Sequence, residues 1–278
     1  MIIAWLNTAP IPLLGLILLV IMFCGAHLGR RFYDSEERPK TDKEGGPRSE
    51  SDKDGGENYS VSAILGLLAL LTGFTFSLAI DRFETRRELV LEHANAIGTA
   101  YLRVQLLPEP HRTRLSGLIV EYTDNIVALA NAPPDKTAPL LAKDDDIVTQ
   151  LWAATAAGYD SVQDKPFSGV FMAAINSLID NDGARRAARV ARIPTEVFVV
   201  LLIYLFGAAT VLGYMLKSHA GRIAGIFLII LFTLSLLLIL DIDRPTTGTI
   251  RESQRPMEDL RASLKNQPPA VFDRWRGK

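Results

Sequence analysis

Four long apolar runs constrain this chain more than any other feature of its sequence. Each is close to the roughly 20 apolar residues that an α-helix needs to cross a hydrocarbon core. The segments between the runs are charged, so the bilayer excludes them. The pattern predicts an all-α integral membrane protein. The apolar runs are Ile11–Leu28, Val61–Ile80, Val197–Leu216 and Ile223–Leu240. The predicted transmembrane helices lie at residues 9–28, 61–80, 195–216 and 222–241.

The first run has the position of a signal peptide but not its composition. Residues 1–10 contain no Lys or Arg, and the apolar core is longer than that of a usual signal peptide. We therefore expect it to be retained as a span. Cys24, within this run, is the one cysteine of the chain, so no disulfide or cysteine-based zinc framework forms within it.

The second run passes directly into a charged helical pattern, and no proline interrupts it before Pro108. Apolar residues then recur at spacings of three and four, which indicates a buried stripe in a helical assembly. This stripe consists of Val90, Ala94, Ile97, Tyr101 and Val104. The sequence predicts one helix that crosses the membrane and continues into water.

The same periodicity predicts further helices at residues 111–130 and 139–157, and another after an N-cap at Ser168. No window alternates with period two, so no strands are expected. Residues 81–193 are predicted to form a helical cytoplasmic domain between spans two and three. Residues 29–59 mix both signs of charge and are expected to be a disordered loop. Residues 242–278 are expected to be a cytoplasmic C-terminal segment, loosely held from Lys265 onward.

The small residues of span two have two interpretations. They recur at helical spacing, which suits close packing between helices in lipid. The same spacing suits a face around a pore, where Leu70 and Phe74 would form constrictions. The periodicity alone does not choose between these interpretations. The small residues are Gly66, Ala69, Gly73 and Ser77.

Charged residues follow spans two and four. With four spans these two ends fall at the same membrane edge, so ion pairs between them are predicted. We call the set the membrane-edge cluster: Asp81, Arg82, Arg86, Arg87, Asp241, Asp243 and Arg244. Lys and Arg are almost equally numerous at the two edges. The tighter arginine clusters at the edge of the helical domain favour a cytoplasmic location for that domain and for both termini.

Signatures of catalysis and of metal binding are missing. The sequence contains no nucleophile elbow, Walker loop, dinucleotide fingerprint or paired metal-binding histidines. The four histidines, His27, His93, His111 and His219, are scattered. The run Asp144–Asp146 lacks the spaced ligands of a calcium loop and is interpreted as solvated or helix-capping acids. We expect no catalytic residues, metal or cofactor. The net charge of −1 gives no reason to expect a nucleic-acid partner.

A family resemblance is carried by residues 71–95. An apolar helix with a Gly-Phe step there runs into the pattern Asp-Arg-aromatic, then Arg, then Asn, which resembles the second span of bestrophins. The matching residues are Asp81, Arg82, Phe83, Arg87 and Asn95. The phrases at residues 92–108 and 240–254 are typical of the bacterial bestrophin-like family. The resemblance covers Ser60 to Leu264.

The resemblance implies a pentameric ion channel in a bacterial inner membrane. Five copies of span two would surround the axis, with neck constrictions at Gly66, Leu70 and Phe74 and with Ser77 on the same pore-lining face. The implied partners are membrane lipid, small inorganic ions and further copies of the chain. The acidic calcium cluster of animal bestrophins has no match after span four, so calcium gating is not implied.

Three function hypotheses follow. The first is an oligomeric passive ion channel. The second is a non-transporting membrane-anchored scaffold that binds a partner through its helical domain. The third, an intramembrane enzyme, requires clustered polar residues that the spans lack.

Overall fold

The computed structural model describes residues 9–36, 50–216 and 218–274, and every regular element within them is an α-helix. Four helical segments among these residues are long and apolar enough to cross a membrane. The predicted fold class, an all-α membrane protein with four spans, is therefore confirmed. The helices are α1 (Ile11–Glu36), α2 (Glu50–Val104), α3 (His111–Asn131), α4 (Pro134–Asp160), α5 (Ser168–Val190), α6 (Thr195–Met215), α7 (His219–Ile242), α8 (Arg255–Asn266) and α9 (Pro269–Asp273).

The described residues form two compact units. The membrane unit comprises the residues up to Phe83 together with Arg192–Arg251, and thus contains α1, the first part of α2, α6 and α7. The helical unit comprises Glu84–Ala191 together with the residues from Glu252 onward. Each unit has its own apolar core.

In the membrane unit, α1 and α6 approach at backbone distance because glycines line their contact. A Cβ atom added at Gly29 would lie 1.9 Å from the carbonyl oxygen of Thr210. One added at Gly213 would lie 2.0 Å from the carbonyl oxygen of Ala26. No side chain fits at either position. Small residues allow this close approach between helices in lipid.

The core of the helical unit contains four residues of the stripe predicted on α2, Ala94, Ile97, Tyr101 and Val104. The fifth, Val90, is also buried. Large side chains from α3, α4 and α5 pack against that stripe, including Ile119, Tyr122, Leu151 and Phe171. Burial of such side chains supplies most of the stability of a helical assembly, at about 1.5–3 kcal/mol each.

The C-terminal segment differs from the expectation of a loosely held tail. Helix α8 buries Met257 and Leu264 in the core of the helical unit. Beyond it, the Tyr101 hydroxyl donates a hydrogen bond to the carbonyl oxygen of Gln267 (2.7 Å), and Arg112 pairs with Asp273 (2.5 Å). The segment is basic, but one face of α8 is apolar, and burial of that face holds it in place.

Residues 29–59 also differ from the expected loop. Helix α1 continues to Glu36 and α2 begins at Glu50, while residues 37–49 lie outside the described residues. The extension of α1 carries Tyr33, whose ring meets that of Tyr214 edge to face with centroids 5.8 Å apart. No proline stands in α1 after its first turn, so the helix pattern is not broken there.

Two helix starts are also corrected. Ser168 is the first residue of α5 rather than its N-cap, and its hydroxyl donates to the carbonyl oxygen of Gln163 (3.3 Å). Helix α4 begins at Pro134 rather than near Pro139, which lies within its first turns. Pro134 stands at a position whose N–H group would have no partner within the helix, whereas Pro139 lies inside the helix and removes one intrahelical hydrogen bond.

Candidate functional site

The candidate pore face of α2 is exposed in the membrane unit. Gly66, Leu70, Phe74 and Ser77 are all accessible, and Phe74 is 66% exposed. The other side of the helix is buried, because Leu68 packs into the core formed with α1, α6 and α7. Positions three and four apart share one side of a helix. The four predicted residues therefore lie together on the side of α2 that its own protomer leaves uncovered.

The two glycines of this side have open space around them within the membrane unit. A Cβ atom added at Gly66 or at Gly73 would meet no atom within 4 Å. Gly29 and Gly213, by contrast, lie directly against backbone. Packing therefore explains Gly29 and Gly213 but not, within one protomer, Gly66 and Gly73.

The hydroxyl groups next to this side are bonded within α2 itself. Thr72 donates to the carbonyl oxygen of Leu68 and Thr75 to that of Leu71, both at 2.8 Å. These bonds satisfy the donors without a partner from another helix.

In the membrane-edge cluster, Asp241 organises the turn after α7. One carboxylate oxygen accepts a hydrogen bond from the backbone N–H of Thr249 (2.7 Å), and the other accepts from the Thr249 hydroxyl and from the backbone N–H of Ile250. The turn comes so close that a Cβ atom at Gly248 would lie 2.4 Å from the carbonyl oxygen of Asp241. Asp241 therefore has a structural role in this turn.

Asp243 and Arg244 connect the end of α7 to other segments of the membrane unit. The backbone N–H of Ile193 donates to the Asp243 carboxylate (3.0 Å), and Arg192 donates to the Asp243 carbonyl oxygen. Arg244 donates to the carbonyl oxygen of Ala9 (2.7 Å). The residues that precede α1 and α6 are thus both hydrogen-bonded to the end of α7.

One arginine of α2 forms a buried ion pair that the sequence did not predict. Arg87 pairs with Glu84 on the same helix (3.0 Å) at an exposed position. Arg86 lies 3.7 Å from Glu252, and both side chains are almost completely buried. Glu252 carries no local sequence signal, since it lies in an irregular segment between α7 and α8. The pairing of the α2 charges with Asp241 and Asp243 stays a prediction.

A buried polar network crosses the helical unit at His93. Arg185 Nη1 lies 3.1 Å from His93 Nδ1, and the Tyr122 hydroxyl lies 2.8 Å from His93 Nε2. Since a guanidinium only donates, Nδ1 must accept, and the imidazole proton is on Nε2. Arg185 also donates to the Gln254 side-chain oxygen (3.1 Å).

Burial and neighbouring charges shift the pKa values of His93, Arg185 and Tyr122. Burial, followed by the positive charges of Arg185 and Arg186, lowers the pKa of His93 to about 3. Burial also lowers the pKa of Arg185, to about 10, so Arg185 stays charged at neutral pH. Burial and then the charge of Asp182 raise the pKa of Tyr122. At neutral pH the network therefore contains a neutral histidine, a protonated tyrosine and a charged arginine.

Arg186 joins three carboxylates. It pairs with Asp144, with Asp145 (2.6 Å) and with Asp182 (2.8 Å). The side chain of Asp144 is completely buried, and it also accepts a hydrogen bond from Asn125 (3.2 Å). The interpretation of Asp144 as a solvated or capping acid was therefore wrong. Only the three-dimensional arrangement shows the arginine that compensates it.

Among the residues that the structure describes, no three or more His, Cys, Asp or Glu side chains are arranged to hold a metal ion.

The fold and the exposed α2 face define a helical membrane protein in which the second span continues into a helical unit. The bestrophin-like domain matches residues 52–257, so this chain belongs to the bestrophin-like family. The predicted family resemblance is therefore confirmed.

Solved structures share the fold of this chain. A crystal structure of a bacterial bestrophin homologue from Klebsiella pneumoniae is 14% identical, with a TM-score of 0.61, and the alignment covers 95% of this chain and 98% of that one. A singly substituted form of that homologue is 15% identical, with a TM-score of 0.63 and coverages of 92% and 97%. At such identities the likeness shows the fold alone. No curated protein matches the chain.

Proposed function

We propose that copies of this chain assemble around an axis as a passive ion channel, with α2 lining the pore. The observation that carries this proposal is the exposure of Leu70 and Phe74, 53% and 66%, on the α2 side that its own protomer leaves uncovered. Membership of the bestrophin-like family supports it. Five copies are the proposed number.

The proposed neck is apolar. Gly66, Leu70 and Phe74 lie one helical turn apart, so symmetric copies place them in successive rings around the axis. Rings of Leu and Phe can close a narrow pore by excluding water, without a charged gate. Gly66 leaves its ring wide, and Ser77 adds a hydroxyl at the opposite end of the neck.

Currents through planar bilayers test the neck. Purified full-length protein should conduct, and Phe74→Ala should increase the conductance because it removes the bulkiest ring. Phe76→Ala is the matched control, since Phe76 is also exposed on α2 but points to another side of the helix. Silent bilayers for both wild type and Phe74→Ala would contradict the proposal, and so would equal increases for the two variants.

The oligomeric state separates the channel from the scaffold hypothesis. A channel requires a closed ring with a central opening, whereas a scaffold acts equally well as a monomer or a closed dimer. Mass photometry in lipid nanodiscs measures the number of copies. A pentamer supports the channel, and a monomer or dimer favours the scaffold.

We further propose a bacterial inner-membrane location with both termini and the helical unit in the cytoplasm. A Cys24→Ser background provides a cysteine-free chain, into which Asn131→Cys, exposed at the end of α3, introduces one reporter. In intact cells, a membrane-impermeant maleimide should leave this cysteine unlabelled until the cells are lysed. Labelling of intact cells would place the helical unit outside.

A further inference from the structure

A cavity of about 350 Å³ lies between three spans of the membrane unit, where α1 leaves its apolar run and α7 begins. Its volume falls within the range of roughly 300–1,000 Å³ that is usual for ligand sites. Two arginines line it, Arg30 from α1 and Arg222 from α7, together with His27. Most of the remaining lining is apolar and includes Phe23, Leu216 and Ile226, which we call the apolar wall.

The positive charge of this cavity is not compensated by its lining. None of the described residues that line it is acidic. No ion pair joins Arg30 or Arg222 to an acidic side chain among the residues that the structure describes. Two guanidinium groups on one cavity favour an anion, and their planar donors suit phosphate oxygens in particular.

The surroundings of the cavity decide which phosphate it suits. The edge of the hydrocarbon core lies where the apolar runs end, and Tyr33 and Tyr214, a residue type enriched at membrane interfaces, stand near that level. The arginines are thus at headgroup depth, and Phe23 and Ile226 are 43% and 44% exposed on the adjoining span surfaces. A phosphate with an acyl chain attached satisfies both parts of the cavity, whereas a free phosphate ion leaves the apolar wall unused.

The arrangement of α1, α6 and α7 leaves the space for this cavity. Gly25, Gly29 and Gly213 bring α1 and α6 together, so that α7 supplies a separate wall. Leu216 closes the cavity at the start of the α6–α7 connection, where it lies against Gly225. The lining of the site therefore comes from three helices, α1, α6 and α7, rather than from one basic helix end.

We propose that this cavity binds one anionic phospholipid, with Arg30 and Arg222 on the phosphate and the apolar wall along an acyl chain. Basic pockets between spans bind anionic lipid headgroups at the cytoplasmic edge of membranes. The same charge-assisted contacts to phosphate serve at the opposite edge, where the proposed topology places this cavity. The site does not depend on conduction, so it stands or falls separately from the proposed channel.

Native mass spectrometry of the full-length protein in detergent tests the site. With phosphatidylglycerol added, the wild type should retain about one lipid per chain, and with phosphatidylcholine it should retain far less. The double variant Arg30→Gln/Arg222→Gln should bind phosphatidylglycerol about tenfold more weakly or worse, because it loses both charge-assisted contacts. The control Arg31→Gln/Arg255→Gln removes the same charge from exposed positions outside the cavity lining and should change binding less than about twofold.

A second variant separates lost binding from lost folding. Ile226→Trp keeps both arginines, enlarges a half-exposed side chain and should obstruct the cavity, which should also weaken phosphatidylglycerol binding about tenfold. Equal retention of phosphatidylglycerol and phosphatidylcholine would overturn the proposal. Wild-type affinity in both cavity variants would also overturn it, and so would displacement of the lipid by millimolar inorganic phosphate.

Discussion

Arg185 donates a hydrogen bond to His93 across 3.1 Å in the interior of the helical unit, a cation facing a histidine. This pairing is stable only while the imidazole is neutral, because a protonated ring has no acceptor and would repel the guanidinium. Burial, and then the charge of Arg185, lowers the pKa of His93 to about 3.

Acid should therefore destabilise the helical unit through His93. Its pKa is about 6.5 when unfolded and about 3 when folded, so its contribution to stability is complete above pH 6.5 and is lost as the pH falls toward 3. At pH 4.5 the loss should be about 3 kcal/mol. Thermal unfolding of wild type and His93→Gln between pH 7 and pH 4.5 measures it, since glutamine does not titrate.

The comparison with His93→Gln is needed because another group acts in the opposite direction. Burial raises the pKa of Asp182, so protonation of Asp182 favours the folded state at low pH. Both proteins retain Asp182, so its contribution cancels in the difference between their stabilities. Parallel stability curves for the two proteins would show that His93 does not control the acid response.

Removal of Arg186 should destabilise the helical unit far more than removal of its exposed partner. Arg186→Ala leaves Asp144 buried without its cation, which should cost about 3 kcal/mol. Asp145 is 67% exposed, so Asp145→Asn should cost less than about 1 kcal/mol. Urea unfolding measures both. Adding Asp144→Asn to Arg186→Ala should recover part of the loss, because it removes the buried charge.

The close contact between α1 and α6 should not accommodate even one additional methyl group. Gly213→Ala places a Cβ atom 2.0 Å from the carbonyl oxygen of Ala26, so the two helices must separate. Gly207→Ala, on the same helix, meets nothing within 4 Å and should be tolerated. Thermal stability in detergent should fall by several degrees only for the first variant. Equal thermal stability of the two variants would contradict the close contact between α1 and α6.

The C-terminal helix should stabilise the helical unit. Met257 is completely buried, so Met257→Ala should cost about 2–5 kcal/mol. Arg255 begins the same helix with its side chain 83% exposed, and Arg255→Ala should change stability by no more than about 0.5 kcal/mol. Urea unfolding of the purified protein compares the two. Equal effects of the two substitutions would contradict the packing of α8 in the core of the helical unit.

The sequence predicted those parts of the fold that depend on local periodicity. The four spans follow from uninterrupted apolar runs, and the stripe from Val90 to Val104 follows from helical spacing. Each of these signals is contained within one helix.

What the sequence missed depends on contacts between distant residues. Asp144 looked like a surface acid because Arg186, which compensates it, lies 42 positions away. Glu252 was overlooked because its partner Arg86 lies on α2, far away in the sequence. The candidate site was predicted in part, since spacing places Leu70 and Phe74 on one side of α2. Only the structure shows that their own protomer leaves that side uncovered.

The orientation of the hydrogen bonds at His93 has an evolutionary consequence. Arg185 must donate a hydrogen bond to one imidazole nitrogen. The other imidazole nitrogen must donate a hydrogen bond, which the Tyr122 oxygen accepts. A relative that loses one member leaves its neighbour with a buried donor or acceptor that has no partner. Substitutions at these three positions should therefore be inherited together, as a correlated triplet in an alignment of homologues, while the exposed positions around them vary independently.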